Sequence, residues 1–159
     1  MASTNLKDDR IQAIYTFVPF SRRLYGPEGM EQVEGPVLWE ATDQDILTPF
    51  VVEQLPAYSW LDAQQSAENN RHLVVTSGLP HARITFEVLS RLTNQPAADW
   101  DNIRPIAESY HHTLGTAFFQ THLANNESYE PYLQARGAQH LTQDPYPLTW
   151  TKTVPTTSA

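Results

Sequence analysis

Cysteine is absent from the 159 residues. Disulfides, thiolate metal sites and cysteine nucleophiles are therefore excluded together. Lysine is nearly absent too, with only Lys7 and Lys152, one near each end. Lysine-centred chemistry, such as a Schiff base or a phosphate loop, has no home in the body of the chain. Positive charge is scarce altogether: ten Lys and Arg stand against eighteen Asp and Glu, a net charge of −8. Nothing here supplies the clustered cations that displace counterions from a nucleic acid, nor those that hold a protein to an anionic membrane surface. No apolar run approaches the roughly 18 to 20 residues needed to cross a bilayer. No charged stretch followed by an apolar one opens the sequence, so a secretory signal is not expected. These absences leave a soluble acidic protein, cytoplasmic or held within a soluble assembly.

Sequence motifs are also missing. There is no Gly-x-Gly-x-x-Gly, no Walker loop, no Gly-x-Ser-x-Gly elbow, no His-Glu-x-x-His and no calcium loop. No repeat recurs at spacings of about 20 to 50 residues. What the chain does have is twelve prolines and four tryptophans. The prolines are scattered, which predicts short elements with frequent stops.

The polar residues 1–10 form a loose arm. Residues 11–20 (IQAIYTFVPF) carry apolar groups on both alternating faces, as a strand covered on both sides does. Residues 21–36 hold Gly26-Pro27, Gly29 and Gly35-Pro36 and read as a long loop. Residues 36–41 and 72–77 are further strands. Thr48-Pro49 has the form of a helix start, with Pro56 as its stop. Ser59 with Asp62 resembles a capping box and opens a helix over 60–70. Residues 80–94 fit either an alternating strand or a helical stripe, and their length favours helix. The clearest element spans 101–125, where Ile103, Ile106, Tyr110, Leu114 and Phe118 recur at helical steps and should be buried along one face. A last short helix follows from Ser128, with Gly137 as its C-terminal cap. Residues 144–159, rich in proline and threonine, read as an extended tail.

Six histidines offer the only reactive side chains with any local pattern. Glu108 and His111, three apart on one helix face, have the spacing by which bundle helices present ligands to iron or manganese; zinc is the other metal such groups take. A full site needs more ligands than this pair supplies, so no cofactor is expected, and an exposed electrostatic pair explains the spacing equally. His72 borders an apolar strand and His81 follows Pro80 at a turn, which makes both candidates for acid–base catalysis, with Asp99, Asp101 or Glu108 to orient them. Arg22 and Arg23 form a small basic island suited to forked contacts with an acidic partner. Tyr146, Leu148 and Trp150 alternate through the tail, as anchors of a segment laid in a groove would.

The expected fold is α+β, a small β-sheet packed against helices, with a helix-dominated C-terminal half and an extended C-terminal tail. The chain divides into the arm 1–10, a single globular domain 11–143 and the tail 144–159. The leading functional expectation is a non-enzymatic interaction or assembly component. It would be a subunit of a virion or multi-protein complex, or an acidic inhibitor of a basic partner, docking on other protein chains or on copies of itself. Arg22, Arg23, Tyr146, Leu148 and Trp150 are its expected contacts. The rival is a small enzyme with a histidine–carboxylate site, metal-dependent or not.

Overall fold

The computed structural model describes residues 8–61, 71–81, 91–92 and 100–152. Four strands form one mixed sheet: β1 (Ile14–Phe17), β2 (Val37–Thr42), β3 (Arg71–Thr76) and β4 (Leu148–Thr151). They lie side by side in chain order, β1 to β3 parallel and β4 antiparallel to β3. With the helices described below, the fold is α+β. The three strands expected from the sequence are all present. The fourth comes from the segment expected to be a tail, where Leu148 and Trp150 are 6% and 8% exposed. Their alternation with Thr149 marks a strand with one face on the core, not a strand held ready for a partner.

All six residues of β2 are buried, as a central parallel strand requires. Alternate side chains serve two cores. Leu38 joins Val74, Leu148 and Trp150 under the long helix. Val37, Trp39 and Ala41 join Leu73 on the opposite face, beneath Met30, Ala57 and Tyr58. Helices therefore cover both faces, giving three layers.

The opposite layer starts where a loop was expected. Arg22–Met30 (α1) is helical except at Gly26, whose φ of 63° kinks it; glycine adopts this conformation without strain. A π-turn over Phe50–Gln54 runs directly into α2 (Leu55–Ser59). Pro56 does not stop this helix, because in the first turn its missing N–H is not needed. Ser59 ends α2 instead of opening a helix, and its hydroxyl donates to the Pro56 carbonyl at 2.7 Å. Thr48 is likewise not an N-cap; Pro49 holds that position.

The long helix is α3 (Trp100–His122). Ile103, Tyr110, Leu114 and Phe118 are buried along one stripe and Ile106 packs against it, as the spacing predicts. Asn125, at φ 53°, lies in the break after the helix. A 3₁₀ turn over Glu127–Tyr132 and α4 (Ala135–Leu141) return the chain to β4. Gly137 is not a cap. It lies inside α4, where a Cβ would fall 2.6 Å from the Pro131 carbonyl oxygen. Most of the expected helix 60–70 and most of 80–94 lie outside the described residues, as do 1–7 of the arm and 153–159 of the tail. No helix among the described residues is long and apolar enough to cross a membrane.

Candidate acid–base site

Glu40 is the least expected side chain of the central strand. It faces α3 from the middle of the sheet, fully buried. An isolated carboxylate there would be very costly, so its partners decide its state. The hydroxyl of Tyr15, on the neighbouring β1, donates to Oε2. Nδ1 of His111, from α3, lies 2.9 Å from the same carboxylate. Burial first, then the Glu40 charge and the hydrogen bond, push the Tyr15 phenol far above its ordinary value. Tyr15 thus remains a proton donor, and Glu40 is the acceptor.

Two features bring His111 to this place. Gly115, one turn further along α3, lets the helix settle on the Tyr15 ring, since a Cβ there would sit 3.0 Å from it. The Phe17 ring packs edge-on against the imidazole, with centroids 4.3 Å apart. All described polar contacts of His111 are at Nδ1, while its side chain is 28% exposed. Nε2 is therefore the nitrogen left to exchange a proton with a bound molecule. The group sits mid-sheet, with Tyr15 second of the four residues of β1 and Glu40 fourth of the six of β2.

Beside it, Val18 has φ 40°, an outlier for a β-branched residue. It is fixed by a bond from its N–H to the Glu40 carbonyl at 2.8 Å and by one from the Thr48 hydroxyl to its own carbonyl at 3.1 Å. Strain of this kind gathers where a site must be held in place.

A second histidine–carboxylate pair joins the loops after β2 and β3. His81 Nδ1 lies 2.7 Å from the buried Asp45, whose carboxylate also accepts from Leu47 N, Thr48 N and the Thr48 hydroxyl. Burial raises the Asp45 pKa, but the bonds from Thr48, His81 and Leu47 together outweigh it and hold the group below its usual range. Those bonds give Asp45 a full role as the clasp of a tight turn. Glu40 has no such local role.

The expected site residues separate accordingly. His81 is paired, through Asp45 and not through Asp101 or Glu108; Asp99 lies outside the described residues. His72 is 2% exposed among the rings of Phe118, His122 and Trp150, a core position that no substrate reaches. Glu108 does not join His111: it points to Arg104 at 3.8 Å while His111 turns to Glu40. Among the described residues no three such groups could hold a metal. Arg22 and Arg23 are both exposed; the Arg23 Nε lies 4.0 Å from the Glu53 carboxylate, which also accepts from the Arg23 backbone N–H at 3.3 Å. Tyr146 is half-buried and its carbonyl accepts from the Tyr110 hydroxyl at 2.8 Å. Sequence reasoning missed Tyr15, Glu40 and Asp45; an acid in the otherwise apolar run PVLWEA was the one signal available for Glu40.

Acid should weaken the fold in two steps. Burial first, and then the Lys152 charge, lower the His122 pKa against an opposing pull from Glu130. The unfolded chain then binds the extra proton first, so this contribution is complete above about 6.5 and is lost as pH falls toward the folded value. Asp45 acts in the same direction further down, complete above about 3.9 and lost as pH falls through its lowered value. Urea midpoints measured from pH 8 downward should fall in acid, and His122→Gln should remove the first decline.

No family model matches the sequence, and no curated protein matches it either.

Proposed function

We propose that the protein is a small acid–base enzyme in which His111 exchanges a proton with its substrate. Glu40 and Tyr15 act as positioning residues. The observation that carries this reading is a fully buried carboxylate, reached by donors from two other elements, that leaves a part-exposed imidazole free at Nε2. A carboxylate at Nδ1 fixes the tautomer and stabilises the imidazolium formed when Nε2 takes a proton. The Tyr15 phenol, its proton held tightly beside a buried carboxylate, favours function over packing as the explanation. Phe17 beside the ring suits a substrate with an apolar portion next to the atom that gains or loses the proton.

A generic acyl donor tests this without knowledge of the natural substrate. The protein should release nitrophenol from p-nitrophenyl acetate faster than the urea-unfolded chain does. His111→Gln should remove that excess, and Glu40→Gln should lower it. His140→Gln, at an exposed residue, should leave it unchanged. A rate equal to the unfolded chain's, or one indifferent to His111→Gln, would contradict the proposal.

A second reading, an assembly component, keeps support from exposed apolar residues around β1. Leu148 and Trp150 no longer serve it, since both are buried in the domain's own core.

A further inference from the structure

Strand β1 is an edge of the sheet, paired only with β2 among the described strands. Its bonds to β2 start from Ile14 N and continue beyond the strand at Val18 N. Backbone groups alternate in direction along a parallel strand, so those of Tyr15 and Phe17 point outward. An edge of this kind, unpaired among the described residues, is a template for pairing with another chain. Natural edges are usually blunted by charge or proline. Here Pro19 lies beyond the strand and Asp8, Asp9 and Glu34 line the cleft beside it, but large exposed apolar residues stand on both faces.

On the α3 side, Phe119 packs against Tyr15 with ring centroids 6.3 Å apart, and Leu123 follows one turn later. They are 38% and 46% exposed, and Phe17 at the edge is 37% exposed. On the α1 side a cleft of about 840 Å³ opens beside Ile14 and Thr16, lined by Ile11, Phe20 and Tyr25. Those three are 64%, 44% and 61% exposed. The six residues present on the order of 600 Å² of exposed side chain, most of one partner's roughly 800 Å² share of a standard interface.

From this juxtaposition we propose that two copies of the chain associate through β1, strand against antiparallel strand about a two-fold axis, to form one continuous eight-stranded sheet. The width of the band selects a second copy over an extended peptide. A lone peptide strand covers the edge itself, whereas the exposed residues flank that edge on both faces of the sheet. Covering both needs a partner with helical layers above and below its own edge strand, and a copy of this domain has them at matching heights. An isologous contact also lets one patch complement itself. The proposal deepens the assembly reading by naming the partner, and its band adjoins the His111 site through Phe17, whose ring packs on the imidazole.

Sedimentation velocity over a wide concentration range tests it. The protein should sediment as a dimer, and more salt should favour the dimer, since each copy carries a charge of −8 that opposes association. Tyr25→Glu combined with Leu123→Glu, both at exposed positions, should give a monomer that keeps the native circular dichroism spectrum. Val51→Glu, at a residue 70% exposed elsewhere on the surface, should leave the dimer intact. A wild-type monomer at every concentration would overturn self-association while leaving the assembly reading to foreign partners. A dimer that survives the double variant, or one broken by Val51→Glu, would overturn the choice of surface.

Discussion

Trp150→Ala is expected to destabilise the protein by about 3–5 kcal/mol, the range for an aromatic side chain truncated in a core. The indole is 8% exposed and packs on His72 with ring centroids 5.2 Å apart, while its backbone pairs with Val74 in the sheet. Urea denaturation followed by circular dichroism measures the loss without relying on the fluorescence of the residue removed. Truncation after Pro147 should do more, since it removes β4 and exposes the edge of β3 along Leu73–Thr76. A loss under about 1 kcal/mol for Trp150→Ala would mean that β4 is only a docked segment, and that the tail is free to bind partners after all.

The second large effect is at Glu40. Glu40→Ala should be strongly destabilising, since each buried donor left without an acceptor costs about 1–3 kcal/mol. It leaves the Tyr15 hydroxyl and His111 Nδ1 without their acceptor and opens a cavity at the centre of the sheet. Removing the whole group should have the opposite outcome for stability. The triple variant Tyr15→Phe, Glu40→Leu, His111→Leu should be as stable as the native chain or more so, because apolar packing often replaces a buried ionic group without loss. It should also lose all nitrophenol release from p-nitrophenyl acetate above that of the unfolded chain. Stability and activity moving apart in this way would indicate a group retained for chemistry. If the triple variant fails to fold, the three side chains belong to the architecture.

The strands and the long helix were legible because their signals are local. Alternation or a three-to-four-residue step persists over several turns in 11–20, 36–41, 72–77 and 101–125, and burial then follows from the face. The alternation of Tyr146, Leu148 and Trp150 was visible but does not name a pairing partner, so β4 passed for a tail until pairing with β3 supplied its role. Helix α1 was hidden by Gly26-Pro27 and Gly29, whose loop-forming tendency is contained by a single kink at Gly26. The site was legible in kind but not in membership. His81 stood out at a turn and His111 by its spacing from Glu108, yet their carboxylates lie 36 and 71 residues away along the chain. No local spacing encodes such pairs. The i, i+3 relation of Glu108 to His111 was real in sequence but irrelevant in space, because α3 turns the two toward different neighbours.

The central claim, that a buried Glu40 carboxylate holds His111 with Nε2 free to take a proton, is tested most directly by the ring-nitrogen resonances of His111. Two-bond proton–nitrogen correlation above the titration range of the ring distinguishes the tautomers, with His111→Gln providing the assignment. The account predicts the Nδ1–H tautomer, an Nε2 resonance characteristic of an unprotonated nitrogen, and loss of the Nδ1–H preference in Glu40→Gln. An Nε2–H tautomer, or a tautomer unchanged by Glu40→Gln, would contradict it.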